Sequence, residues 1–320
     1  MSYMALYRKW RPDAFEEIKG QEHIVTTIRN QIVHDRVGHA YLFCGTRGTG
    51  KTTTAKLMAK AVNCEHPING SPCNECASCK AIAAGAAMNV IEVDAASNNG
   101  VDNIRQITDS VNYSPSTGKY LVYIIDEVHM LSAGAFNALL KTMEEPPPHV
   151  KFILATTEIH KVPATIVSRC QHFDFHRIRN EDIVSRLMYI ASQEGFTLHE
   201  DAAGMIARLS DGGMRDALSL LDQCVAYEND ITLDVVSSAS GIAGRDYLFD
   251  ILEKIAEKDA AGALRVVDKL YDMSKDLKVL AGELLAQMRN VMIIKTIDNN
   301  KDLITCLPDE YERLKALAER

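Results

Sequence analysis

The segment Gly45-Thr46-Arg47-Gly48-Thr49-Gly50-Lys51-Thr52 fills every fixed position of the pattern G-x-x-x-x-G-K-[ST]. It constrains the fold through what must flank it. Backbone N–H groups and the positive end of a helix have to face a phosphate together, so the loop needs a strand before it and a helix after it. The apolar run Ala40-Tyr41-Leu42-Phe43-Cys44 supplies the strand, and the helix-like stretch from Thr53 to Val62 supplies the helix. Gly45, Gly48 and Gly50 allow backbone angles that other residues avoid. Lys51 is then expected to reach the β- and γ-phosphates, with the Thr52 hydroxyl as a Mg²⁺ ligand. A glycine-rich turn matching by chance is the competing explanation, and it needs neither flank. The segment implies a nucleoside triphosphate site.

Further strands follow the loop. Asn89 to Asp94 reads as a second, and the polar turn Ala95 to Gly100 is placed to cap a helix from Val101 to Val111. A helix start flanked by Ser and Asn can also hold a backbone phosphate of nucleic acid, although plain capping is the favoured reading of these residues. Leu121 to Ile125 is a third strand, ending in Asp126-Glu127-Val128-His129. Two acids at the end of a buried strand are costly unless a cation or a water needs them. In phosphate-loop enzymes the first acid holds Mg²⁺ and its neighbour can polarise the attacking water, which gives Asp126 and Glu127 those expected roles. A helix from Phe136 to Met143 is stopped by Glu144-Glu145-Pro146-Pro147-Pro148. Lys151 to Thr157 is a fourth strand, whose terminal hydroxyls either sense a γ-phosphate or simply suit a strand. His172 to Phe175 is a fifth. Strands alternating with helices predict an α/β fold with a parallel five-stranded sheet and helices on both faces.

Between the phosphate-loop helix and the second strand lies a cysteine cluster. Cys73, Cys76 and Cys79 make two successive C-x-x-C steps, and Cys64 lies across a Pro/Gly/Asn turn. Four thiolates on a short loop suit a closed tetrahedral zinc site, which leaves no open position and is therefore structural. A redox switch, or His66 as a substitute ligand, are the alternatives.

The bulk properties set outer limits. A chain of 320 residues suits two or three domains. Its net charge of −8 argues against a whole-surface nucleic-acid binder but leaves room for a local basic patch. Tyr7-Arg8-Lys9-Trp10-Arg11-Pro12 is one basic-aromatic stretch, better suited to packing over a domain edge than to nucleic acid. No apolar stretch has membrane-spanning length, and Met1 to Trp10 lacks a secretory core, so a cytoplasmic protein without disulfides is expected. From Glu181 onward the pattern is helical only, with a boundary near Gly241 to Gly244. Tyr311 to Arg320 is still helical where the sequence stops, which fits either a truncated domain or a frayed last helix.

An α/β nucleotide domain followed by a helical lid resembles the AAA+ ATPases. The N-terminal Tyr7–Pro12 stretch, the phosphate loop, the zinc insertion, Asp126-Glu127-Val128-His129-Met130-Leu131-Ser132 and Ser168-Arg169-Cys170 are together similar to the gamma/tau subunit family of the bacterial DNA polymerase III clamp loader. The resemblance covers essentially the whole chain and is strongest from Met1 to Gln223. It implies an AAA+ domain at 1–178 with a zinc-binding insertion at 64–79, an all-α lid at 179–243 and an all-α oligomerising collar at 244–320. It implies ATP and Mg²⁺ as ligands and Zn²⁺ as a structural metal.

The resemblance also assigns roles. Arg169 is expected to be an arginine finger acting on the neighbouring subunit, and Arg215 a second sensor acting on its own. Thr157, in preference to Thr156, matches the first sensor; Arg8, Pro12 and Ile18 are expected to line the adenine and ribose pocket. The implied partners are other clamp-loader subunits in a pentameric hetero-oligomer, a sliding clamp and primed DNA, with no membrane. ATP binding is expected to drive clamp opening and loading, and hydrolysis release; the polymerase activity belongs to the holoenzyme. Asn98, Asn99, Asn103 and Lys141 are candidate DNA contacts. The rival readings are another AAA+ machine, of the helicase or initiator type, and an ATP-binding structural scaffold.

Overall fold

The computed structural model describes residues 3–111, 115, 117–241, 246–273, 276–298, 300, 303–304, 306 and 308–320. The chain divides into two compact units, one of Met1–Gly195 with Ser210–Asp222 and the other of Phe196–Leu209 with Gln223–Arg320. The boundary expected near Gly244 lies outside the described residues.

In the first unit the described strands are β1 (Ala40–Gly45), β2 (Val90–Asp94), β3 (Leu121–Asp126), β4 (Val150–Thr156) and β5 (Gln171–Phe175). They form one parallel sheet in the order β2-β3-β4-β1-β5. The three inner strands are buried almost throughout, which is why they read as continuous apolar runs. The edge strands β2 and β5 are partly exposed and carry polar residues.

Side chains alternate between two cores. Leu42, Tyr123, Ile125, Phe152 and Leu154 pack against the helices Val101–Ser110 and Ala133–Glu144 on one face. Tyr41, Phe43, Val122, Ile124 and Ile153 pack against Glu22–Val33 and Lys51–Val62 on the other. Because β3, β4 and β1 are parallel neighbours, their carboxyl ends share one rim. Gly45, Asp126 and Thr156 arrive there together, where α/β sheets place ligands.

Several local expectations are adjusted by long-range contacts. The helix expected from Phe136 begins at Ala133, because the Ser132 hydroxyl accepts the Ala135 N–H at 3.2 Å and caps it. The Ser/Asn turn before Val101 does not cap its helix: the N-cap is Gly100, with no side-chain bond. Ser97 and Asn98 instead donate back to the Asp94 carbonyl at 3.2 and 3.1 Å, and the Asn99 carbonyl accepts the Ser132 N–H at 3.2 Å. Within the cysteine insertion, Asn69 and Gly70 both take positive φ, as a type I′ turn requires, and a helix Ala77–Ala83 follows.

The second unit holds the helices Glu200–Leu209, Leu233–Ser240, Asp246–Ala256, Ala260–Asp272, Leu277–Thr296 and Pro308–Ala318. The expectation of helices alone after Glu181 misses one pair of parallel strands, Thr197–Leu198 and Asp230–Ile231. Two residues per strand are too few for alternation to register. Small cores form around Leu248, Ile251, Leu270 and Leu280, and around Phe249, Ile304 and Leu314. Leu264, Leu285, Met288 and Met292 remain exposed on two of these helices. Among the described residues no helix is long and apolar enough to cross a membrane.

Phe152 is fully buried at the sheet centre and stacks on Tyr123 with ring centroids 5.5 Å apart. Phe152→Ala is expected to destabilise the first unit by about 3–5 kcal/mol. Chemical denaturation reads this directly, and a loss below about 1 kcal/mol would contradict the packing described.

Candidate functional site

At the rim of the sheet the phosphate loop turns from β1 into the helix Lys51–Val62. Gly45, Gly48 and Gly50 all have positive φ, at 144°, 80° and 102°. The Lys51 side chain curls back over the loop. Its Nζ donates to the carbonyls of Gly45 at 2.9 Å and Thr46 at 2.8 Å, and the residue is only 6% exposed. Burial lowers its pKa, while Glu127 and Asp126 act the other way. A buried ammonium facing two carboxylates is suited to an anionic ligand.

The acids come from β3. The Thr52 hydroxyl donates to Asp126 Oδ2 at 2.6 Å, and Asp126 Oδ1 accepts the Glu127 N–H at 2.9 Å. Thr52 and Asp126 are therefore paired oxygen donors, the type a Mg²⁺ ion prefers. Glu127 has φ 47° and ψ 46°, a left-handed conformation uncommon for a side-chain-bearing residue. Its Oε2 accepts the Thr157 hydroxyl at 2.9 Å and the Thr157 N–H at 3.3 Å. Thr156, fully buried, meets His129 Nδ1 at 2.9 Å. Of the two hydroxyls, it is Thr157 that touches Glu127.

A cleft opens over the loop. Among the expected binding residues, Pro12, Ile18, Arg47, Gly48, Thr49, Gly50, Lys51, Thr52, Asp126, Glu127 and Arg215 line it. Gly45 and Thr46 contribute through their carbonyls. Arg8 borders a neighbouring groove instead, with its guanidinium 5.8 Å from the Tyr7 ring; Arg215 lies 5.1 Å from the same ring. Arg169 is not among the lining residues. It is one-third exposed and pairs with Glu144 at 2.6 Å, while its NH1 donates to the Thr165 carbonyl at 2.8 Å.

The helix carrying Arg215 starts at Met214, after Gly212-Gly213. A Cβ added to Gly48 would lie 2.9 Å from Gly213 Cα, and one added to Gly213 would lie 3.2 Å from the Arg47 carbonyl. The two loops thus meet backbone to backbone.

Some wall residues were not readable as such. Trp10 donates to Glu194 at 2.6 Å and meets Tyr189 edge-on at 5.8 Å, with the Arg186 guanidinium 5.8 Å from its ring. The N-terminal stretch therefore packs on the helix Asn180–Glu194, and Trp10 and Arg186 line the cleft. Only the aromatic–cation composition hinted at this. His129 is 3.4 Å from Glu127 and 3.5 Å from Glu158, and no local pattern marks it as a site residue.

The ligand atoms of Cys64, Cys73, Cys76 and Cys79 lie within 4.8 Å of one another. Successive backbone amides point at the sulfurs: Cys73 N–H to Cys64 at 3.3 Å, Cys76 N–H to Cys73 at 3.4 Å and Cys79 N–H to Cys76 at 3.4 Å. The amide of Cys76, with that of Glu75, draws the Cys73 pKa down to about 6, whereas burial raises those of Cys64 and Cys79. Four convergent sulfurs with amide donors fit a tetrahedral zinc ion.

Residues 20–179 match the family described as DNA polymerase III, delta subunit. Residues 182–230 match the DNA polymerase III clamp loader subunit ATPase lid domain, and residues 231–320 match domain III of DNA polymerase III subunits gamma and tau. The chain is 51% identical over 297 residues to DNA polymerase III subunit tau of Bacillus subtilis, covering 92% of this chain and 53% of that one. It is 40% identical over 320 residues to DNA polymerase III subunit gamma of Buchnera aphidicola, covering 100% of this chain and 88% of that one. The chain spans about half the length of the tau relatives from Bacillus, Salmonella and Escherichia, at 53%, 46% and 46%. Its fold is similar to that of a Thermotoga maritima RuvB Holliday junction branch migration motor, with a TM-score of 0.55 and 20% identity over 77% of this chain and 79% of that one. The chain has the AAA+ fold and belongs to the gamma/tau family of DNA polymerase III clamp-loader subunits.

Gly48 and Gly195 have nearly equal φ, 80° and 81°, but a Cβ at Gly195 would meet nothing within 4 Å. Gly195→Ala should show backbone strain alone, about 1–3 kcal/mol. Gly48→Ala should be more destabilising, because the clash with Gly213 adds to the strain. Equal losses in thermal unfolding would show that the contact is not felt.

Proposed function

We propose that this chain is an ATP-hydrolysing motor subunit of the DNA polymerase III clamp loader. In this reading ATP binding drives opening and loading of a sliding clamp onto primed DNA, and hydrolysis releases it. Family membership supports the assignment. The observation that carries it is that Lys51, Thr52, Asp126, Glu127 and Arg215 line one cleft while Arg169 does not.

In this reading each residue takes the role that the family resemblance implies. Lys51 releases the Gly45 and Thr46 carbonyls to take phosphate oxygens, and the loop amides help to hold them. Thr52 and Asp126 hold Mg²⁺, which when bound offsets phosphate charge. Glu127 polarises the attacking water, with Thr157 holding its carboxylate as the first sensor. Arg215, beside Tyr7 at the cleft wall, reports the γ-phosphate to the lid. Pro12 and Ile18 face the base and ribose, with Arg8 behind them. Arg169 completes the site of an adjacent subunit, and such a finger contributes on the order of 10³-fold or more in rate.

The domain plan proposed is an AAA+ domain at 1–178 with a structural zinc insertion at 64–79, a lid at 179–243 and a collar at 244–320. The exposed Leu264, Leu285, Met288 and Met292 are a sizeable apolar surface for a collar to bury against partner subunits of a pentamer. The candidate DNA contacts Asn98 and Asn103 border a shallow groove that Glu92, Val93, Gln106, Ile107 and Ser110 also line. Asn99 and Lys141 are carried as weaker candidates. Free cysteines at all eight positions fit a reducing, cytoplasmic setting.

Assembled with its partner subunits, the protein is expected to hydrolyse ATP faster when both clamp and primed DNA are added; indifference to both would overturn the loader reading. Glu127→Gln should bind ATP normally and lose turnover by about 10²-fold or more. Subunits carrying Arg169→Ala and subunits carrying Lys51→Ala, mixed, should recover turnover only at junctions that pair an intact finger with an intact loop. A defect confined to the Arg169→Ala subunit's own site would refute action in trans.

A further inference from the structure

We propose that Cys44, His172 and Asp174 form a second metal site, for a borderline-soft divalent ion of the zinc class, at the edge of the sheet beside the phosphate loop. The site is separate from the four-cysteine insertion and independent of the loader reading.

Strand register creates it. Parallel pairing of β1 with β5 sets Cys44 opposite Asp174, and His172, two residues earlier, projects from the same face. The Cys44 sulfur, a His172 ring nitrogen and an Asp174 carboxylate oxygen all lie within 4.8 Å of one another. His172 Nε2 is already 3.0 Å from Asp174 Oδ1. Tetrahedral ligands at ordinary zinc distances are separated by roughly 3.3–3.8 Å, so small side-chain rotations bring the three donors onto one ion.

The donor chemistry selects the ion. Thiolate, imidazole and carboxylate together are a zinc-type set, whereas Mg²⁺ and Ca²⁺ want oxygen alone. Three protein donors leave a fourth position for water, unlike the closed cysteine set. Cys44 is 4% exposed whereas His172 and Asp174 are exposed, so an ion enters from the solvent side of the edge strand and finds its sulfur at the core.

The charges balance as well. The Cys44 thiol gives up one proton to solvent as its sulfur ligates the ion. A divalent ion with one thiolate, one carboxylate and a neutral imidazole carries no net charge. Such a complex tolerates the dry sheet edge and adds no repulsion to Lys51, whose charge acts on Cys44. The plain alternative is a small buried thiol beside a surface His–Asp pair.

The test is native mass spectrometry of the full chain, stripped with chelator and then given three equivalents of Zn²⁺. Two bound zinc ions are expected on the unmodified chain. One is expected on Cys44→Ser, His172→Ala and Asp174→Asn, and one on the Cys73→Ser, Cys76→Ser double variant, which leaves two cysteines in the insertion and reports that site separately. His172 and Asp174 lie on the exposed edge strand, so their substitution leaves the fold intact, as circular dichroism can verify. Replacement of zinc by Co²⁺ in the Cys73→Ser, Cys76→Ser chain should give a thiolate-to-cobalt absorption that Cys44→Ser removes. The same zinc count on the unmodified chain and on all three strand variants overturns the proposal.

Discussion

The cleft over the phosphate loop depends on a lysine ammonium kept almost dry by its own loop. Lys51 is 6% exposed and bonded to two backbone carbonyls. Burying a cation is costly unless hydrogen bonds and opposite charge offset the loss of water. Here the Gly45 and Thr46 carbonyls supply the first, and Asp126 and Glu127 supply the second. Neither works unless β1 and β3 end on the same rim, which the parallel pairing of each with β4 provides. The topology and the charge on one side chain are therefore parts of one arrangement.

Much of that arrangement was legible because it is written in short-range patterns. Leu121 to Asp126 and Lys151 to Thr157 are runs whose apolar length announces a strand covered on both faces. The phosphate loop combines glycine, lysine and hydroxyl at fixed spacing. What escaped was set by partners that the local pattern does not name, some near in the chain and some far. Ser97 and Asn98 look like caps, yet they turn back on Asp94, and Asn99 is taken by Ser132. Trp10 gives no local sign that it will find Glu194, 184 positions away. Thr197–Leu198 and Asp230–Ile231 are strands only because each lies beside the other.

Glu127 illustrates how backbone and side-chain bonds hold a carboxylate in place. Its left-handed backbone is an uncommon state that surrounding bonds must sustain. Its own N–H donates to Asp126, its carbonyl accepts the Met130 N–H at 2.9 Å, and Thr157 grips its carboxylate. With the chain fixed at both sides of the residue, the carboxylate direction is a property of the fold and not of a rotamer choice. The two arginines contrast with it: Arg215 faces the cleft from a helix start, and Arg169 is tethered elsewhere by Glu144.

The meeting of Gly48 with Gly213 has a mechanical consequence. Side chains in contact can absorb a small displacement by rotating, so a push at one end fades before it reaches the other. Two main chains touching without side chains have no such slack. A displacement of the loop toward the turn that precedes Arg215 therefore meets main chain, with no side chain between them to rotate away.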